Sequence, residues 1–395
     1  MGEPLERRAV ISGIGQSDIG RRLHRSGLDL TIEATERAVA DAGLTLDAID
    51  GISTYPGSGG PFGGASGADL HDALRLRLAW RDGGLETAGQ LGAVHKAVLA
   101  VAAGLAHHVV VFRTVVEGSG KPLRPGAAGG GGGAGGGALP ASMRYLIPYG
   151  AGSAANWIAC YAMRHMHDYG TTREHLGAVA INARTFAALN PKAIYTEPMT
   201  MDDYLSVRMV SEPFCLYDCD VPCDGSTVVV VSHRDHAPDA PHGVAQVNAI
   251  GTAIRGRPSW DQFDDLTTMA MRDSAASLWA RTDLTTDDVD TAQLYDGFSW
   301  LTMAWLEALG FCGRGEGGPF VEGGKRIGLG GTLPLNTWGG QLSSGRLHGF
   351  GFLHEGVLQL RGAAGGRQVQ GAEVAVVAAG GGPECGCLLL TKGAR

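Results

Sequence analysis

The chain has 395 residues, of which 44% are hydrophobic and 18% charged, enough apolar material for one large or two medium domains. Its 32 Lys and Arg against 40 Asp and Glu leave a formal charge of −8, a poor electrostatic match for nucleic acid or an anionic membrane surface. No run of about 18 apolar residues supports a membrane span, MGEPLERRAV shows no signal peptide, and seven cysteines are too few for a disulfide scaffold, so a cytoplasmic location is expected.

The elements alternate along the chain. Residues 7–15 (RRAVISGIG) predict a strand into a turn, and 30–43 (LTIEATERAVADAG) an amphipathic helix closed by Gly43. Residues 97–106 predict an apolar helix, and 108–116 (HVVVFRTVV) a strand buried on both faces. Strands follow at 227–233, 291–296 and 374–382, with a helix at 300–310 and another carrying Leu353, Val357 and Leu360 at helical spacing. This order predicts an α/β fold with a largely parallel sheet. Glycine is abundant, 63 residues, and the run from Gly129 to Gly137 reads as a flexible loop.

A weak internal repeat accompanies this order. Leu44-Thr45-Leu46-Asp47-Ala48-Ile49-Asp50 recurs 240 positions later as Leu284-Thr285-Thr286-Asp287-Asp288-Val289-Asp290, and the same shift carries Tyr55 onto Tyr295. A helix beginning Asp-Leu-Thr precedes each copy, at Asp29 and at Asp265. Duplication predicts two similar halves with a site at their junction. We divide the chain into an N-terminal half, 1–116 with 217–250, an excursion at 117–216, and a C-terminal half at 251–395.

Two stretches carry the candidate chemistry. Tyr295-Asp296-Gly297-Phe298 lies where a predicted strand ends and a helix begins, the end of an α/β sheet at which ligands bind. A tyrosine there can donate a proton or hydrogen bond at neutral pH. The segment from Asn336 to Gly349 is polar and glycine-rich, leads into a helix, and holds Arg346 and His348 two residues apart. Other motifs read as structural. Gly13-Ile14-Gly15 lacks the third glycine of a dinucleotide fingerprint, with Asp18 in its place. Cys215, Cys219 and Cys223 match no common zinc spacing. His95 on its predicted helix reads as a packed histidine.

Taken together, AVISGIGQSDIGR, CDGSTVVVV (223–231), YDGF, NTWGGQLSSG and the late AAGGG resemble the thiolase superfamily, in particular its lipid-transfer-protein and sterol-carrier-protein-x branch. The resemblance runs over essentially the whole chain and implies a five-layer αβαβα fold with two similar halves. It breaks at the thiolase chemistry. The segment Leu85–Gly92 holds no nucleophilic cysteine, Ala378 and Ala379 stand where the second cysteine precedes the late glycines, and Gly345-Arg346-Leu347 replaces Gly-His-Pro. Cys385 and Cys387 follow the glycines and do not match. Such losses resemble the steroid side-chain-cleaving aldolases of actinobacteria, in which Tyr295 matches one catalytic tyrosine and Arg346 stands at the second.

The resemblance implies a CoA-thioester lyase that cleaves a β-hydroxyacyl-CoA by retro-aldol chemistry, giving a ketone and a short acyl-CoA such as propionyl-CoA. The expected site is Tyr295 as acid and enolate donor, His348 as base, Arg346 as oxyanion, carboxylate or CoA-phosphate partner, and Asp296 orienting Arg346 or His348. No cofactor is expected in this chain. CoA enters as part of the acyl-CoA substrate, and zinc belongs to a zinc-ribbon/OB-fold partner protein that joins a homodimer. The competing readings are a thiolase-like acyltransferase with a non-cysteine mechanism, a non-catalytic acyl-CoA or lipid carrier, and a structural subunit whose partner holds the active site.

Overall fold

A computed structural model describes residues 3–56, 64–84, 86, 88–120, 143–237, 239–255 and 265–393; the glycine run 129–137 and Leu85 and Thr87 of the cysteine-less segment lie outside these. The elements in chain order are β1 (Ala9–Gln16), α1 (Gly27–Asp41), β2 (Gly51–Thr54), α2 (Gly67–Leu74), β3 (Trp80–Gly83), α3 (Gly92–Ala102), β4 (His108–Val116), α4 (Met143–Leu146), α5 (Ala154–Tyr169), α6 (Arg173–Ala187), α7 (Met201–Ser206), β5 (Met209–Ser211), β6 (Phe214–Cys215), β7 (Asp224–His233), β8 (Ala245–Ile254), α8 (Met271–Trp279), β9 (Thr291–Leu294), α9 (Ser299–Leu309), α10 (Gly317–Val321), α11 (Phe350–Arg361), β10 (Val374–Ala379) and β11 (Glu384–Lys392).

Nine strands form one sheet in the order β3-β2-β4-β7-β1-β8-β11-β10-β9. It is mixed, not largely parallel. The β3–β2, β2–β4 and β9–β10 junctions are parallel, and the five between β4 and β10 are antiparallel. A strand covered on both faces is apolar throughout whichever way its neighbour runs, so the sequence pattern carries no signal for direction. The Gly380–Pro383 turn makes β10 and β11 a hairpin.

The order is also the fold's internal symmetry. β2-β4-β7-β1 is answered by β9-β10-β11-β8, and the halves meet at a short β1–β8 ladder of Val10 with Gln246 and Ile11 with Ala245. Alternate residues of each strand serve two cores. Val110, Phe112, Val228 and Val230 pack with Ala34, Ala38 and Val39 of α1, while Val109, Val111, Val229 and Val231 face inward with Val94, Val98 and Val101 of α3. α3 and α11 lie between the two half-sheets, α1 and α2 cover one outer face, and α8 and α9 the other, which gives five layers. Gly13 and Gly15 serve this packing, since a Cβ at either would meet the backbone of α1 at Ala38 or Ala34.

The repeated motif has one job in both halves. Asp50 Oδ1 accepts the amide of His108 at 2.8 Å, fastening the start of β4, and Asp290 Oδ2 accepts that of Val374 at 2.9 Å, fastening the start of β10. The helix after Asp265 begins later than expected, at Met271, because the Asp265 carboxylate ties Thr267 and Thr268 into a turn. Between β4 and β7 the described chain builds α5, α6 and α7, and the buried His165 of α5 meets Glu307 of α9 at 2.8 Å.

Candidate active site

The chain leaving the C-terminal ends of β2 and β4 in one half and of β9 in the other meets at one place, where Tyr55, Glu117 and Tyr295 follow directly. The 336–349 segment is held over them by backbone hydrogen bonds. Asn336, at φ 52°, gives Nδ2–H to Leu294 O at 2.8 Å and accepts Leu294 N–H at 2.7 Å. The segment 219–221 threads through the same assembly: Asp220 N–H bonds Gly297 O at 3.2 Å, Val221 N–H bonds Gln341 O at 2.9 Å, and Arg346 N–H bonds Val221 O at 2.8 Å.

Three of the four expected residues meet here. Tyr295 is nearly buried, its ring lies 6.1 Å from that of Phe352, and it folds back over Gly297. Burial, then the charges of Asp220 and Glu86, raise its pKa, so the phenol stays protonated. Arg346 bonds Glu117 Oε2 through Nε at 2.8 Å and Nη2 at 2.6 Å, and Asp220 Oδ1 through Nη1 at 3.4 Å. That guanidinium is already matched by two carboxylates, so the geometry disfavours a role in binding a free carboxylate or phosphate. His348 sits at φ 48°, its Nε2 3.2 Å from Glu117 Oε1 and its carbonyl accepting the Tyr55 hydroxyl at 2.6 Å.

The fourth departs from expectation. Asp296 is fully buried and orients neither Arg346 nor His348. Its Oδ1 accepts Gln341 N–H at 2.8 Å and its Oδ2 faces Asn336 Nδ2 at 3.4 Å, so it fastens the 340–344 turn. Gly340, at φ +58°, is required there because a Cβ would collide with that carboxylate. Burial raises the Asp296 pKa to about 8 despite the Gln341 amide.

The orienting carboxylate is instead Glu117. Burial opposes its charge, but Arg346 and His348 outweigh burial and lower its pKa. An ionised Glu117 accepts only, so the neutral His348 ring gives it Nε2–H and keeps its lone pair on Nδ1. Burial, with Arg113 adding repulsion, lowers His348 to about 4, well below the ordinary histidine value that the sequence implies. Burial raises Asp220 to about 7, with Arg346 opposing and Glu117 assisting. Arg113 spans Tyr55, Nη1 bonding its carbonyl at 3.0 Å and its guanidinium 5.0 Å from the ring centre.

No signal in the sequence marked Glu117 and Asp220, which stand 229 and 126 positions from Arg346. Tyr55 had one, its equivalence to Tyr295 in the repeat.

The cysteine-less segment does reach this site: a Cβ at Gly89 would meet Ala379 O at 2.8 Å, and one at Gly349 would meet Gln90 Cβ at 2.9 Å. Cys385 and Cys387 are buried in β11, and burial raises both thiols, Cys387 to about 12, the opposite of activation. His95 Nε2 bonds Cys387 O at 3.2 Å. Asp218 binds Tyr204, Ser299 and Cys215 N–H, and among the described residues no three His, Cys, Asp or Glu are placed to hold a metal. A cavity of about 720 Å³ lies at the opposite end of the strands, lined by Val10, Asp41, Gln246 and Arg361, away from this chemistry.

Residues 254–385 match the family described as Thiolase C-terminal domain-like. The chain is 34% identical over 392 residues to a steroid side-chain-cleaving aldolase of Thermomonospora curvata, covering 96% of this chain and 97% of that one. It is 35% identical over 397 residues to the 17-hydroxy-3-oxo-4-pregnene-20-carboxyl-CoA lyase of Mycobacterium tuberculosis, covering 98% and 100%. The chain belongs to the steroid side-chain-cleaving aldolases of the thiolase superfamily. It is a carbon–carbon lyase of that group. The solved structure of an Ltp2-ChsH2(DUF35) aldolase superposes with a TM-score of 0.88 at 33% identity over 98% of both chains. The acetyl-CoA acetyltransferase of Syntrophomonas wolfei, at 15% identity and a TM-score of 0.70 over 97% of this chain and 98% of that one, shares the fold.

Proposed function

We propose that this lyase cleaves a β-hydroxyacyl-CoA of the steroid side-chain type into a steroid ketone and a short acyl-CoA such as propionyl-CoA. The observation that carries the reading is the placement of Tyr295 beside a buried wall of Glu117, Asp220, Arg346 and His348, with no activated thiol among the described residues. A Claisen reaction needs an acyl-cysteine. A retro-aldol cleavage needs only a base for the β-hydroxyl, donors for the developing thioester enolate, and an acid for its α-carbon. Tyr295 is the acid and enolate donor. His348 and Asp220 are the two groups opposite it able to accept the hydroxyl proton.

The chain takes no cofactor of its own in this reading, and CoA arrives with the substrate. It works as a homodimer joined to a DUF35-type partner of zinc-ribbon/OB-fold build, the zinc lying in that partner. Support comes from the DUF35 component of the similar aldolase structure and from β3, a sheet-edge strand whose outer ladder is open to a second copy. No helix among the described residues is long and apolar enough to cross a membrane, and all seven cysteines are free thiols, which fits a cytoplasmic location.

Incubation of the full chain, alone and with such a partner, with a 17-hydroxysteroid 20-carboxyl-CoA thioester tests the reading. Mass spectrometry should find the 17-ketosteroid and propionyl-CoA in equal amounts. Acyl exchange between CoA esters without C–C cleavage would establish the acyltransferase reading instead, and stoichiometric binding without turnover the carrier.

A further inference from the structure

A general base at this site must keep a lone pair open toward the substrate, lie beside Tyr295, and titrate near the working pH. Glu117 fails the first condition, since Oε2 is taken by Arg346 and Oε1 by His348, and its lowered pKa makes it a weak base. Asp296 spends both oxygens on Gln341 and Asn336 and is fully buried. His348 gives Nε2–H to Glu117 and keeps its lone pair on Nδ1, but burial lowers its pKa to about 4, so it fails the third condition.

Asp220 meets all three conditions. Its Oδ1 accepts Arg346 Nη1 at 3.4 Å, and among the described residues no side-chain hydrogen bond reaches its Oδ2. Its side chain keeps 11% of its surface exposed, against 5% for Glu117. Its backbone bonds Gly297, two residues past Tyr295, and its carboxylate is the strongest single charge acting on the Tyr295 phenol.

We propose that Asp220 is the catalytic base of the cleavage, standing in for the tyrosine that Arg346 replaces. This assignment rests on the lyase reading. The Oδ2 oxygen takes the proton of the β-hydroxyl, and the O–H electron pair becomes the second bond of the product ketone. The Cα–Cβ bond breaks, and its pair passes to the thioester as an enolate held by the Tyr295 hydroxyl. Tyr295 then protonates the α-carbon, and the proton on Asp220 returns to the phenolate through solvent. Atoms and electrons balance without a co-reactant.

The surroundings suit the role. Arg346 and Glu117 face Asp220 from one side, Tyr295 and Asp296 from another, and Cys219 and Cys223, both held protonated by burial, flank it in the chain. Burial and Glu117 raise the carboxyl while Arg346 restrains it, to about 7, so half the population is ionised at neutral pH with near-maximal basicity. Arg346 Nη1 engages Oδ1, which stabilises the carboxylate.

The test is Asp220→Asn in the full chain with its partner, assayed on the 17-hydroxysteroid 20-carboxyl-CoA thioester from about pH 3.5 to 9. Wild type should lose kcat/KM below an acidic limb near pH 7. The variant should fall ~10²–10⁴-fold and lose that limb, with unchanged circular dichroism and CoA-ester affinity. A variant within threefold of wild type, or one that keeps the limb, overturns the assignment. Should the variant not fold, the wild-type profile decides: a limb near 7 supports Asp220, and one below pH 5 points to His348 and overturns it. Absence of ketone from wild type at every pH is a different result, which rejects the lyase reading and this assignment with it.

Discussion

Tyr55 and Tyr295 hold the same place in the two halves, each one residue past the equivalent strand β2 or β9, yet their hydroxyls do different work. Tyr55 gives its proton to the carbonyl of His348 and lies beneath Arg113. The Tyr295 hydroxyl meets the Gln341 side chain and, among the described residues, no backbone carbonyl, and it faces the charges of Asp220, Glu86 and Arg346. Duplication thus placed two phenols at one junction. The C-terminal half's loop at 336–349 then captured the first as a strut through its backbone, and left the second beside the Gln341 side chain and the charged groups of the site. The lesson is that equivalence in a duplicated fold places a residue but does not assign its role, because the partners come from loops the two halves do not share.

The comparison can be broken most directly at Tyr295. Tyr295→Phe removes a hydroxyl whose protein contact is the Gln341 side chain, so turnover should fall ~10²–10⁴-fold while the melting temperature changes little. A variant with near-normal turnover would make Tyr295 as structural as Tyr55. Arg346→Tyr restores the aldolase tyrosine but strands Glu117 and Asp220 without their cation. Breaking a buried pair in this way costs ~3–5 kcal/mol, so denaturant unfolding should show a large loss of stability. Wild-type stability with retained cleavage would show that the two carboxylates do not depend on the guanidinium.

The proton balance of His348 supplies a third test. Its folded pKa, about 4, lies below the ordinary value of 6.5, so between these the unfolded chain binds more protons and stability declines as pH falls through that window. His348→Gln cannot charge. The difference in stability between wild type and variant should therefore shift by ~1–3 kcal/mol between pH 7 and pH 4, wild type losing ground as acid is added. A constant difference would place the histidine in contact with solvent. The smallest effect is expected at Tyr55→Phe. Losing one buried hydrogen bond costs ~0.5–1.5 kcal/mol, and turnover should drop less than tenfold, through a looser His348. A loss matching that of Tyr295→Phe would make both phenols catalytic and end the distinction.

Much of this architecture was legible in the chain. The apolar run 108–116 became β4, the repeat became a pair of equivalent strands with a tyrosine after each, and the Gly-rich 336–349 segment became the wall of the site. Strand direction was not legible, and neither was the use of Asp296, whose position beside Tyr295 in sequence points it at the catalytic centre while its side chain turns the other way to hold Gln341.

By itself the sequence determined the superfamily, the duplicated layers, the absence of thiolase cysteines and the convergence of Tyr295, Arg346 and His348, because periodicity, repeats and local motifs are written in consecutive residues. Only the tertiary structure decided which charges meet. Glu117 ends one strand, Asp220 threads a loop, and Arg346 lies more than a hundred residues from either. Their pairing, and the titration of each group near or far from neutrality, arises from burial and from a low-dielectric neighbourhood that exists only once the two halves close.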